Sequence, residues 1–296
     1  MSPGRFACIL GLFVMCWRGA PATALAAADL DPSWIKPVPP FHIAGNLYYV
    51  GSADLASYLV VTSQGLILIN SNLASSPPLI RRSVEALGFH FSDIKILLIS
   101  HAHADHCGGS AEILRETHAR YLVMDRDVPV VESGGKKDYQ YGNDPALQYP
   151  PAHVDRALHD GDAITLGGVV LTAHLTAGHT KGTTTWTMDE TEGGRLLHVV
   201  IVGGPNVNAR ARLLDNPAYP QIAADYKREF VVLASLPCDI FLGAHGGFFN
   251  LASKYARFQS GDKNAFIDPE GYKAYVADRR HAFEVEYQRQ AQRHER

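Results

Sequence analysis

The run His101-Ala102-His103-Ala104-Asp105-His106 constrains this chain more than any other feature. It sets four metal-ligand side chains within six residues, directly after the apolar stretch Ile94–Ser100. Cys107-Gly108-Gly109-Ser110 and a helical pattern over Ala111–Ala119 follow at once. Neutral imidazole and carboxylate are the donors that zinc takes at catalytic sites. His101 and His103 stand two apart, so in extended backbone their side chains leave on the same side. Asp105 and His106 are adjacent and must diverge, which suits a segment serving two neighbouring metals. Histidine-rich tracts can also be non-specific metal scavengers. This one is not low in complexity, and a strand end opening into a helix is where α/β folds place their chemistry.

Composition bounds the rest. The chain has 296 residues, 46% hydrophobic and 19% charged, with a formal net charge of −3. That is ordinary globular composition with length for a full core. Without a Lys/Arg stripe to neutralise phosphates, a nucleic-acid partner is not expected. Residues 1–26 read as a signal peptide: Arg5 supplies the positive region, Phe6 to Trp17 the apolar one, and Ala24-Leu25-Ala26 a small-residue cleavage site. The apolar part falls short of the roughly 20 residues that span a bilayer. The expectation is export to the periplasm, with residues 27–296 as a single domain and no membrane contact after cleavage. Two of the four cysteines lie in this leader. Cys107 and Cys238 remain, and free thiols are preferred to a disulfide between them.

From Phe41 onward, short β-rich runs and turns alternate with helical patterns. Strands are expected at Leu47–Val50, Ala56–Val61, Gly65–Asn70, Ile94–Ser100 and Tyr121–Met124. A helix is expected from Pro77-Pro78 to Gly88. Residues 126–151 lack periodicity and read as loop with one short helix, either a substrate-groove wall or plain surface. A second set follows: a hairpin of Ala163–Leu166 with Val169–Leu175, then strands Thr183–Met188, Val199–Val202 and Asp239–Leu242. Helices are expected over Gln221–Leu236 and Pro269–Arg289. Two β-rich halves closed by helices imply an α/β protein, a four-layer αββα sandwich, with no weak linker between the halves. His179 and His245 each follow an apolar strand pattern with glycine close by, repeating the arrangement of the opening tract.

The unsubstituted HxHxDH tract with single downstream histidines resembles the metallo-β-lactamase superfamily, from Asn46-Leu47-Tyr48 to Gly271-Tyr272-Lys273. The resemblance implies one zinc held by His101, His103 and His179, and a second held by Asp105, His106 and His245. After the strand ending at Val202 comes Gly203-Gly204-Pro205. Glyoxalase-type, lactonase-type and RNA-processing members carry a bridging Asp there, and the first lactamase subclass a Cys. Neither is present, which resembles subclass B3. Leu158-His159-Asp160-Gly161-Asp162, Gly178-His179-Thr180 and Asn216-Pro217-Ala218-Tyr219-Pro220 are similar to that subclass too. Gly203-Gly204 departs from it by lacking the usual serine that helps hold substrate carboxylate; Asn206 or Asn208 is the expected substitute.

The implied activity is hydrolysis of a small-molecule β-lactam by a monomer. The resemblance implies two zinc ions that would supply an activated water to attack the carbonyl, with Asp105 as the residue that would orient it. Ser100 and Thr180 are the expected supports of the ligands, while His159 and His174 read as packing or surface residues. The alternatives are another hydrolase of the same fold, acting on a lactone, thioester or phosphodiester, and a non-catalytic zinc store or sensor.

Overall fold

A computed structural model describes Met1 and residues 31–294. The leader expected over residues 1–26 therefore lies, but for Met1, outside the described residues. In chain order the first half contains β1 (Phe41–Ala44), β2 (Leu47–Tyr49), β3 (Tyr58–Thr62), β4 (Gly65–Ile69), α1 (Pro77–Ala86), β5 (Ile94–Leu98), α2 (Ala104–Cys107), α3 (Ser110–Thr117), β6 (Arg120–Met124), α4 (Val128–Glu132) and β7 (Arg156–Leu158). The second half contains β8 (Ala163–Leu166), β9 (Val169–Leu175), β10 (Thr184–Glu192), β11 (Arg195–Val202), α5 (Ile222–Ser235), β12 (Ile240–Gly243), α6 (Leu251–Gln259) and α7 (Pro269–His294).

The strands form two sheets. The first runs β1 to β7 in sequence order, antiparallel through β4 and parallel from there on. The second has the order β12-β11-β10-β9-β8, with only the β11–β12 pair parallel. The parallel part of the first sheet is covered on both faces, which is why β4, β5 and β6 read as unbroken apolar runs. Strand alternation divides each run. Leu66, Leu68, Leu97, Ile99, Tyr121 and Val123 pack outward with Ile80 and Val84 of α1 and Ile113 of α3. Ile67, Ile69, Ile96, Leu98, Leu122 and Met124 pack inward with Trp186, Met188, Val199 and Ile201 of the second sheet. Tyr226, Phe230 and Leu233 of α5 join Tyr272, Val276 and Phe283 of α7 beyond it. Four αββα layers result.

Several elements differ from expectation. β10 and β11 extend well past the predicted Thr183–Met188 and Val199–Val202, pairing from Trp186↔Ile201 out to Glu192↔Arg195. Their distal ends mix exposed Asp189, Thr191, Glu192, Arg195 and Leu196 with buried Glu190 and Leu197, so no apolar run marked them. Gly193 and Gly194 close the hairpin at φ +58° and +79°, a two-residue turn that glycine permits without strain. Helix α6 was not foreseen. Its buried residues are only Leu251 and Lys254, too thin a stripe to show as periodicity. Both Cys107 and Cys238 are free. Among the described residues no helix is long and apolar enough to cross a membrane.

Candidate metal centre

The fold gathers the ligand candidates at one edge of the sandwich. β5 delivers His101 and His103 just past its end, and the chain then winds into the single turn of α2 with Asp105 and His106. His179 lies in the connection from β9 to β10, and His245 follows β12. Gly178 precedes His179 because a Cβ there would stand 2.6 Å from the Tyr226 ring, at a φ of +151°.

His101, His103 and His179 each offer a ligand atom, all within 4.8 Å of one another. Rings of His101 and His103 stand 4.8 Å apart, on the same side as extended backbone predicts. Asp105 and His106 do not diverge. The helical turn folds them back together, Asp105 Oδ2 lying 3.2 Å from His106 Nε2. His245 Nε2 completes this second group, 3.4 Å from Asp105 Oδ2 and 3.1 Å from His106 Nε2. Ligands about 2.0–2.1 Å from a tetrahedral zinc stand roughly 3.3 Å apart, so these separations match one coordination sphere. Buried His101 Nε2, turned into the first group, has no hydrogen-bond partner. Buried polar atoms are seldom left so, and the donor set fits a metal.

What orients the imidazoles is not what the sequence suggested. His101 Nδ1 donates to the Gly203 carbonyl at 3.1 Å, and His179 Nδ1 to that of Asn206 at 2.8 Å, directing each Nε2 inward. Asp54 Oδ2 accepts from His245 Nδ1 at 2.8 Å, and Asp138 Oδ2 lies 3.6 Å from His103 Nε2. Buried Asp127 binds both halves of the first group, accepting from Ala102 N (2.9 Å), Thr180 Oγ1 (2.7 Å) and Gly182 N (2.8 Å). Ser100 and Thr180 touch no ligand imidazole; Ser100 bonds Asn70, and Thr180 bonds Asp127 and Thr183. His174 bonds Thr187, and His159 is exposed beside Asp162. Asp54, Asp127 and Asp138 were missed. Their only mark in the sequence is a position in a turn or loop, after a strand for Asp54 and Asp127 and after α4 for Asp138.

Electrostatics treats the ligand histidines unequally. Burial, then repulsion from its neighbours His106, His179 and His103, drives His101 well below the usual imidazole range. Burial and His103 take His179 down to about 3. These rings are neutral, with lone pairs free for a cation. Burial also opposes charge on His245, but its bonds to Asp105 and Asp54 outweigh it and raise the ring to about 9. For Asp105 burial is likewise outweighed, and His106 and His245 hold it well below the carboxylate range. The remaining two ligand histidines cut across the two groups: burial opposes charge on His103 but Asp138 outweighs it and raises the ring, whereas burial holds His106 below its ordinary range.

Both groups open on a cavity of about 330 Å³ lined by Trp34, Leu73, Tyr141, Leu147 and Asn208 together with His103, Asp105, His179 and His245. Tyr141 and Leu147 come from the loop over residues 126–151, so that loop walls the cavity. Asn208 reaches it, with its amide hydrogens directed at His179 O (3.0 Å) and Tyr139 OH (3.4 Å). The Asn206 side chain does not: its Oδ1 accepts from Arg279, and it lines hollows against α7. What Asn206 gives the centre is its carbonyl.

Residues 55–245 match the metallo-beta-lactamase superfamily. The chain belongs to that superfamily. It superposes on the FEZ-1 metallo-β-lactamase of Legionella gormanii with a TM-score of 0.86 at 53% identity, over 86% of this chain and 98% of that one. BJP-1, a subclass B3 metallo-β-lactamase of Bradyrhizobium japonicum, matches at 36% identity and TM-score 0.82, over 88% and 97%. LRA-12, a class B3 di-zinc metallo-β-lactamase from an Alaskan soil metagenome, matches at 36% and 0.82, over 86% and 96%. A curated relative, a probable metallo-hydrolase of Burkholderia pseudomallei, is 34% identical over 117 residues, 40% of this chain and 37% of that protein. Within the metallo-β-lactamase superfamily the chain is thus similar to subclass B3.

Proposed function

We propose that this protein is a zinc-dependent β-lactamase that opens the amide ring of penicillins, cephalosporins and carbapenems and confers resistance to them. The observation that carries the reading is the pair of ligand groups around one cavity, with no acid at Gly203-Gly204-Pro205. Two zinc ions are the proposed cofactor, one on His101, His103 and His179, the other on Asp105, His106 and His245. Zinc in such groups lowers the pKa of bound water from 15.7 to about 7 and polarises a carbonyl oxygen. Asp105, kept ionised by its two histidines, offers the attacking water a hydrogen-bond acceptor. Trp34, Leu73 and Leu147 exclude bulk water from the cavity and bury the apolar substituents of the substrate. Tyr141 stays protonated, since burial and then Asp138 and Asp105 push its hydroxyl up, so it donates to a substrate oxygen where a serine is missing. Asn208 contributes by holding the His179 backbone. The leader composition supports export to the periplasm, where residues 27–296 would act as a single-domain monomer.

The experiment is nitrocefin hydrolysis by the purified protein beside its His101→Ala and His245→Ala variants. Turnover lost in both variants supports the reading. Hydrolysis of a lactone, thioester or phosphodiester without nitrocefin turnover would replace it with another hydrolase of this fold, and zinc uptake without any hydrolysis with a store or sensor.

A further inference from the structure

Two ligand imidazoles face carboxylates: Asp138 Oδ2 stands 3.6 Å from His103 Nε2, whereas Asp54 is in direct hydrogen bond with His245. Backbone carbonyls orient His101 and His179. His245 is oriented by a carboxylate, Asp54 Oδ2, at 2.8 Å. The same residue makes further bonds on both sides. Its Oδ1 accepts from Gly247 N at 2.9 Å, and its carbonyl from Gly246 N, so it grips the turn that carries His245. Its own N–H donates to Ser33 O at 3.2 Å, and Ala53 N donates to Lys36 O at 2.9 Å. Burial raises the Asp54 carboxyl, but His245 first, then Gly247 and the Trp34 indole N–H, bring it below its ordinary range. Trp34 lines the cavity, its ring 6.1 Å from that of His245. Asp54 thus stands between the segment before β1 and the second ligand group. It also lies just before the residues that match the family.

We infer that Asp54 is a positioning residue for the second zinc: it fixes the His245 tautomer and raises its basicity, and it makes second-site affinity depend on the Trp34 segment. The inference rests on the zinc reading above. A carboxylate accepting from Nδ1–H keeps the proton off Nε2, so the Nε2 lone pair faces Asp105 and His106. An asparagine can instead donate its amide to Nδ1, which drives the proton to Nε2 and blocks the ligand atom. It also removes the negative charge that makes the imidazole a stronger donor.

The test titrates metal-free protein with zinc against a chromophoric chelator and reads two dissociation constants, beside the melting temperature of the metal-free state. In D54N one of the two constants should rise by about ten- to a hundredfold, with the other unchanged. W34F, which keeps the His245–Asp54 bond, should move the same constant by a smaller factor. A merely structural role would lower the metal-free melting temperature and weaken both sites together, and that result overturns the inference, as does D54N with both constants intact. Wild-type protein without tight zinc overturns the zinc reading along with it. Two zinc constants in a wild type that leaves nitrocefin untouched, with the D54N shift present, supports the inference and removes only the β-lactam substrate.

Discussion

Replacing Asp127 by alanine should damage the centre without touching a ligand. The carboxylate is 1% exposed and accepts three hydrogen bonds, from Ala102 N, Thr180 Oγ1 and Gly182 N. Thr180 can turn its hydroxyl to Thr183 Oγ1, already 2.9 Å away, so its loss is small. Ala102 and Gly182 are buried backbone donors with no other hydrogen-bond partner among the described residues, and each costs about 1–3 kcal/mol when orphaned. The sum is about 2–6 kcal/mol, set against a total stability of about 5–15 kcal/mol. The same loss frees the His179 connection from the His101–His103 tract, so first-site zinc affinity falls as well. Urea unfolding of metal-free protein measures the stability, and zinc competition the affinity. A change under about 1 kcal/mol with unaltered zinc binding would refute the view that Asp127 ties the two strand ends together.

Two other predictions concern stability. Both carboxylate oxygens of Glu229 are buried without a hydrogen-bond partner, and burial, then the Asp225 charge, raises its pKa well above the ordinary carboxylate value of 4.5. The native state therefore holds the proton more tightly than the unfolded chain, and stability present below that value is lost as pH rises through the folded pKa. Glu229→Gln should gain in melting temperature over wild type progressively above pH 4.5; a pH-independent difference contradicts this. Gly204 has φ +153°, and a Cβ there would lie 3.4 Å from His101 Cε1 and 3.6 Å from His179 Cδ2. Gly204→Ser, which restores a hydroxyl, should cost about 1–3 kcal/mol through backbone strain. A melting temperature equal to wild type would show that this loop accepts a side chain.

Legibility in the sequence followed the range of the forces involved. β4, β5 and β6 stood out because both their faces are buried, and the opening tract because its ligands are neighbours in the chain. His179 and His245 were legible through repetition of a strand-end pattern. The far ends of β10 and β11 were not, since Asp189–Glu192 is wholly polar and Arg195–His198 sets two leucines side by side, so neither shows the alternation of a half-buried strand. Asp54 could not be seen because its partner His245 is 191 residues away. Asp127 and Thr180 are 53 apart. Supporting carboxylates are chosen by packing, not by local pattern, so one sequence reveals the ligands before their supports. Adjacent Asp105 and His106 misled for a local reason: an extended reading separates them, whereas the turn of α2 brings both to one place.

The most direct measurement is carbapenem hydrolysis by purified protein stripped of metal and titrated back with zinc. The account predicts no turnover in the metal-free protein and activity restored as zinc fills the two groups, reaching its plateau at about two equivalents. Hydrolysis that persists after exhaustive chelation, or zinc binding at two equivalents with no carbapenem turnover, would contradict it.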